Sequence, residues 1–223
     1  MDELELVIFD LAGTTVEDRG EVPAAFSAAL AGHGIEVTRE QIKNVRGASK
    51  RQALRHFIPA GPEQARLAEG AYASFRAHLA QRYAAEGVRA IPGAAPAFHW
   101  LRERGVRVAL NTGFDREMTG LLLGALGWTD GLVDAVVCGD DVPQGRPSPY
   151  LIFRAMEATG ARSVHRVANV GDTTLDLQAS HNAGVRWNIG VLSGAHDRRA
   201  LEGAPHTHLL PSVADVLCLW AED

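Results

Sequence analysis

Lysine is nearly missing from this chain: among 223 residues only Lys43 and Lys50 occur, and arginine carries almost all the positive charge. Cysteine is as scarce, with Cys138 and Cys218 far apart and outside any metal-ligand spacing. That excludes a disulfide scaffold and a thiolate metal site, and it predicts two reduced thiols. Positive charge is not in excess, the formal net charge being −5, so the sequence predicts no nucleic-acid or anionic-membrane partner. Aromatic residues make up 6% of the chain, and its four tryptophans, at 100, 128, 187 and 220, lie in apolar contexts. They form no stacking array for bases. No run approaches the roughly 20 apolar residues of a membrane span. The start, with Asp2 and Glu3, has no basic segment leading into an apolar one. The expectation is a cytoplasmic protein that works on a small molecule.

What is present is a rhythm. Short apolar runs at 4–9, 106–111, 135–138, 166–170 and 185–191 read as strands, and helical patterns lie between the later ones. That alternation predicts an α/β fold with a parallel sheet and crossover helices. The helical stretches AAPAFHWLRERG, DREMTGLLLGALG, SPYLIFRAMEATG and TLDLQASHNAG each end in glycine, as a left-handed helix terminus prefers. Residues 17–90 break the pattern: four helical stretches and no convincing strand occur there. The predicted organisation is a core of residues 1–16 and 91–223 with a helical cap, 17–90, inserted after the first strand. In open α/β sheets ligands bind beyond the carboxyl ends of the strands, so such an insert would hang over the site.

Each of four predicted strands is followed by a chemically distinctive residue. Asp10 ends LELVIFD, Thr112 follows VRVALN, Arg146 sits in DDVPQGRPSPY, and Asp172 and Asp176 occur in VGDTTLD. Singly these read as a turn aspartate, a turn threonine, a surface arginine and a helix cap. Together they place carboxylates, a hydroxyl and a cation on one sheet edge, the inventory of phosphoryl transfer: nucleophile, oxygen donors, fixed cation and hard ligands for Mg2+. Gly13, Gly113 and Gly171 would let backbone amides approach a phosphate.

VIFDLAGTT, NTGFD, GRPSPY and VGDTTLD resemble, in order, the four motifs of the haloacid dehalogenase superfamily. The resemblance spans the whole chain and implies a Rossmann-like core with a small helical cap. It implies that Asp10 is a nucleophile carrying an aspartyl-phosphate, that Thr112 hydrogen-bonds a phosphoryl oxygen, and that Arg146 neutralises the phosphoryl charge and orients Asp10. Mg2+ would be held by Asp10, Asp172 and the carbonyl of Ala12, with Asp176 supporting the metal shell. Related capped enzymes sometimes dimerise, so a homodimer is an open expectation.

Ala12 is the departure. Most phosphatases of the superfamily carry an aspartate there to protonate the leaving alkoxide, a function worth about 10²–10⁴-fold. FDLAGTTVE resembles instead the phosphonoacetaldehyde hydrolase branch, which also has alanine. There a cap lysine forms a Schiff base, and the carbon leaves as an enamine. VRGASKRQALR, with Gly47, Lys50 and Arg55, resembles the stretch carrying that lysine, and DDVP with NTGFDREM points to the same branch. Arg46 and Arg51, if folded close, would favour the free amine of Lys50. Arg46, Gly47, Gly113 and Phe114 are predicted to line the substrate pocket. The branch's cysteine after the first motif, its methionine before the cap glycine, its histidine after the lysine and its tyrosine after the second motif are absent. Gly20 or Glu21, Arg46, Ala53 and Phe114 stand there instead, with His56 one helical turn further on. Two other readings stay open: a phosphatase of small esters with Lys50 only binding substrate, and a non-catalytic phosphate binder.

Overall fold

The computed structural model describes residues 4–128 and 131–221. Its centre is β1 (Leu6–Asp10), an apolar run in which every residue is buried. Leu6 and Ile8 belong to one hydrophobic cluster and Val7 and Phe9 to another, so the strand is covered on both faces, as parallel sheets require. β2 (Arg107–Asn111) and β4 (Val167–Gly171) flank it in parallel. β3 (Ala135–Val137) lies outside β2, while β5 (Trp187–Val191) and β6 (His208–Leu210) lie outside β4. The order is therefore β3-β2-β1-β4-β5-β6. The switch in strand order falls beside β1, where an open α/β sheet places its ligand. Asp10 is level with Asn111 across the β1–β2 pairing, which brings the strand ends side by side.

Nine α-helices are seen among the described residues. α5 (Ala94–Glu103) and the 3₁₀ turn Val213–Leu219 cover the face bearing Val7 and Phe9. α7 (Tyr150–Thr159) and α8 (Thr174–Ala183) cover the other. α6 (Arg116–Leu126), α7 and α8 end at Gly127, Gly160 and Gly184, each left-handed, as the sequence predicts. The short α9 (Arg198–Glu202) precedes β6.

Between β1 and α5 lie α1 (Glu21–Ala31), α2 (Arg39–Asn44), α3 (Lys50–Phe57) and α4 (Gln64–Glu86). Their Phe26, Leu30, Leu54, Phe75 and Leu79 form a cluster of their own, closed by Phe114, Met118 and Leu122 from α6 and the turn before it. The outgoing and returning chains meet where Val16 pairs with Ala90 in an antiparallel bridge. None of the helices among the described residues is long and apolar enough to cross a membrane.

The sequence reading stops at five strands. β6 is three half-buried residues long, too short to show a period. His208 begins this strand, and His206 is exposed just before it.

Phe98 is fully buried, with its ring centroid 5.1 Å from that of Phe9 and 5.3 Å from that of Trp128. Phe98→Ala is expected to lower the unfolding free energy in urea by about 3–5 kcal/mol. A loss below about 1 kcal/mol would show that this aromatic contact does not anchor the core.

Candidate active site

Asp10, at the tip of β1, is 6% exposed. The turn after it is held from within: the Thr15 hydroxyl donates to the Asp10 carbonyl at 2.8 Å, and the Thr14 hydroxyl to Asp172 Oδ1 at 3.2 Å. Asp172, just past β4, is fully buried, and its Oδ2 accepts the Ala195 amide at 2.7 Å. Gly13 has a φ of +100°, and a β-carbon there would lie 2.3 Å from Asp172 Oδ2. No other residue fits that turn.

Arg146 reaches this group from the loop after β3, with its side chain 2% exposed. It lies 2.8 Å from Asp10 Oδ1 and 2.9 Å from Asp176 Oδ1. It also donates to the Gly47 carbonyl at 3.1 Å, to the Asn111 carbonyl at 3.3 Å and to the Asn111 side-chain oxygen. Asp176 is the third residue of α8 and forms a reciprocal cap with Thr173. Its two oxygens are therefore engaged by Arg146 and Thr173. Thr112 follows β2, and its hydroxyl accepts the Phe114 amide at 3.2 Å.

The helical insert supplies the other wall. Lys50 opens α3 and is 7% exposed. Its Nζ donates to the Ala48 carbonyl at 3.2 Å and lies 5.1 Å from the centre of the Phe114 ring. Its amide donates to the Gly113 carbonyl at 3.1 Å, fastening insert to core. Contact is tight here: a β-carbon on Gly47 would lie 2.2 Å from the Thr173 hydroxyl, and one on Gly113 2.4 Å from the Ala48 carbonyl. Arg46 pairs with buried Asp18 at 2.5 Å. Asp10, Ala12, Arg46, Gly47, Lys50, Thr112, Gly113, Phe114, Arg146 and Asp172 line one closed pocket with about 10 Å³ of free space. Of the predicted site residues only Asp176 stands behind that wall.

Burial sets the electrostatics. It raises Asp10 to about 6, against the pull of Arg146 and with the help of Asp176. It raises Asp172 to about 7, with Asp10 and Asp176 adding repulsion. For Lys50, burial first and then Arg46 bring the ammonium down to about 8. Burial works against the charge of Arg146, but Asp176 and Asp10 outweigh it and leave it above its ordinary value.

Several expectations need correction. Arg51 does not help to lower Lys50: it faces the other way, pairing with Glu69 at 2.6 Å and covering Tyr72. Gly13 and Gly171 make room for carboxylates and not for a phosphate. The Gly13 amide is bonded to the Val16 carbonyl, and a β-carbon on Gly171 would strike Asp176. His56 is exposed and does not take the place of the absent histidine, while Ala53 is buried in the insert's core. Asp18, Asn111 and the turn 193–197 escape the sequence reading. The turn's place after β5 was the available signal, but Ser193, Gly194 and Ala195 carry no distinctive chemistry and His196 belongs to no motif in the sequence.

The model of the haloacid dehalogenase-like hydrolase family matches residues 4–184. A protein named phosphonoacetaldehyde hydrolase from Bacteroides fragilis is 30% identical over 224 aligned residues, covering 95% of this chain and 84% of its own. One of the same name from Syntrophobacter fumaroxidans is 29% identical, covering 87% and 74%. Among solved structures, a hydrolase from Pseudomonas syringae superposes with a TM-score of 0.87 at 24% identity, covering 98% of each chain. A phosphonoacetaldehyde hydrolase-like protein from Oleispira antarctica gives 0.85 at 22% identity, covering 99% of this chain and 92% of that one.

The raised carboxylates fix a pH trend. Asp10 and Asp172 rise from 3.8 to about 6 and about 7. Between about pH 4 and 7 the folded protein therefore holds protons that the unfolded chain has released, and folding gains stability as pH falls through that window. In chelator-treated protein, the urea unfolding free energy is expected to rise from about pH 8 to about pH 5, and Asp172→Asn to flatten the slope. An unchanged slope in the variant would contradict this electrostatic picture.

Proposed function

The chain belongs to the haloacid dehalogenase-like hydrolases, and on that footing we propose that it is a Mg2+-dependent phosphonatase-like hydrolase whose leading substrate is phosphonoacetaldehyde. The observation that carries the reading is one juxtaposition. The position that would hold a proton-donating carboxylate is Ala12, and the same closed pocket receives the buried amine of Lys50 opposite Asp10.

The residues suit Mg2+. Asp10 and Asp172 are buried carboxylates that burial and mutual repulsion hold above their ordinary values, and a divalent cation relieves both effects. Among the described residues no group of three or more His, Cys, Asp or Glu side chains is disposed around a metal position. The holding set would be Asp10, Asp172 and the Ala12 carbonyl, all hard oxygens, with the remaining positions left to water and substrate. Bound there, Mg2+ would offset the negative charge of the phosphoryl group facing Asp10.

The chain's own residues would act as follows. The Lys50 amine attacks the aldehyde carbon and water is lost, giving an iminium. With the ammonium lowered from 10.5 to about 8, the free-amine fraction near neutrality is roughly 300-fold that of an ordinary lysine. The Asp10 carboxylate attacks phosphorus, the P–C bond breaks, and its electron pair moves into the iminium to give an enamine. Carbon accepts the charge, so residue 12 need supply no proton. Protonation at carbon and hydrolysis return acetaldehyde and the Lys50 amine, and a second water hydrolyses the aspartyl-phosphate to phosphate. Arg146 holds Asp10 in line and, with Thr112, faces the phosphoryl oxygens. The insert's closure keeps bulk water out during the first transfer.

Phosphate and acetaldehyde release from phosphonoacetaldehyde with Mg2+ tests the reading, with phosphomonoesters run in parallel. Equal release of both products is expected, with loss of activity on borohydride treatment in the presence of substrate. Asp10→Asn is expected to abolish turnover, and Lys50→Arg to abolish P–C cleavage, because the guanidinium keeps the charge but forms no Schiff base. Phosphate from esters alone, with Lys50→Arg only weakened, would assign Lys50 to binding and overturn the Schiff-base step.

A further inference from the structure

The turn after β5 lies behind the pocket wall and touches both halves of the molecule. On the core side Ser193 donates to the Gly13 carbonyl at 2.8 Å and the Ala195 amide to Asp172 Oδ2 at 2.7 Å. A β-carbon on Gly194 would lie 2.0 Å from that same oxygen. The turn is thus moulded onto Asp172, and its next residue is His196, 6% exposed.

The imidazole of His196 is bonded at both nitrogens. Nδ1 lies 3.0 Å from the amide of Thr174, the first residue of α8, and Nε2 lies 3.1 Å from the carbonyl of Lys43 in α2. The partners decide the tautomer. A backbone amide can only donate and a carbonyl can only accept, so Nδ1 is bare and Nε2 carries the proton. One ring therefore joins the start of the helix after Asp172 to a helix of the insert. The Lys43–Asp197 ion pair beside it, at 3.2 Å, is largely exposed and contributes little by comparison.

We infer that His196 is a positioning residue for the reaction: through its two ring nitrogens it holds the insert closed over the pocket and in register with the Asp172 turn. Its functional meaning rests on the hydrolase reading above, whereas its structural content can be tested without substrate. Closure matters because the wall formed by Arg46, Gly47 and Lys50 follows α2 directly in sequence. If α2 swings away, the Lys50 amine leaves the site of Asp10.

Hydrogen exchange of the full-length protein decides the matter. The reporters are the amides from Ile42 to Lys50, including that of Lys50, which bonds Gly113, and those from Asp172 to Leu177. His196→Asn keeps an acceptor near the Thr174 amide but is too short to reach Lys43. It is expected to speed exchange over 42–50 about tenfold and leave 172–177 unchanged, whereas His196→Ala should loosen both. Lys43→Ala keeps the main-chain carbonyl and should leave 42–50 as in the wild type. Unchanged exchange over 42–50 in His196→Asn would overturn the inference, as would equal loosening by Lys43→Ala. In turnover, His196→Asn is expected to raise KM about tenfold with kcat held within about twofold, and His196→Ala to lower kcat as well. A fall in kcat alone for His196→Asn would also overturn it. If the exchange pattern holds and no substrate is turned over, the hydrolase reading fails while the positioning role stands.

Discussion

A single buried guanidinium organises this molecule. Arg146 meets Asp10, Asp176, both oxygens of Asn111 and the Gly47 carbonyl. It therefore touches the ends of β1 and β2, the start of α8 and the loop of the insert. An ammonium offers three donors on one atom and could not span that range, whereas the planar fork carries five in fixed directions. Burying such a charge is costly, and a lone partner left behind is costlier still. The five contacts consequently stand or fall together. The group that neutralises the pocket is also one that registers whether the insert is seated, because one of its acceptors belongs to the insert.

Around that centre the pocket is made by exclusion. Gly13, Gly47, Gly113 and Gly194 each sit where a β-carbon would strike a site atom or a loop pressed against it. Carboxylates and loops approach one another at distances that ordinary residues forbid, and little free space is left between them. The raised carboxylates and lowered ammonium follow first from that burial. Low local dielectric penalises every charge without a partner and strengthens every charge that has one. On the proposed reaction, the same burial would make the fixed dipoles and cations effective on a phosphoryl group.

The sequence disclosed those parts whose signal is local. Asp10, Thr112, Arg146 and Asp172 follow apolar runs, and the strand rhythm places strand ends together, so their convergence was legible without coordinates. The four insert helices were legible from their helical patterns, and the core helices from their glycine stops as well. Long-range partners were not. Nothing in VEDRG marks Asp18 as the buried counter-ion of Arg46, and nothing in LSGAHD marks its turn as the floor beneath Asp172. Arg51 follows Lys50 directly in sequence yet points to the opposite face of α3, because successive helix residues do not share a face. β6 was lost because three half-buried residues carry no period. His196 was lost because its meaning lies in two main-chain partners, 22 and 153 residues away in sequence.

The choice of lysine in the pocket becomes informative against the rest of the composition. This chain uses arginine almost everywhere a positive charge is wanted and retains lysine at only two positions. Lys43 is half-exposed, where the two cations are nearly equivalent. Lys50 is buried, where an ammonium is the harder cation to desolvate and arginine the usual solution. A charge required only to hold a substrate would be better served by the residue the chain otherwise prefers. What lysine offers and arginine does not is release of its proton, and burial together with Arg46 pushes Lys50 towards doing so. At residue 12 the pocket forgoes a carboxylate that could hand over a proton, and at residue 50 it keeps an amine that can do without one. On the proposed reading the two departures answer each other: a leaving group whose electrons are drawn into an iminium needs no acid, and an iminium needs an amine.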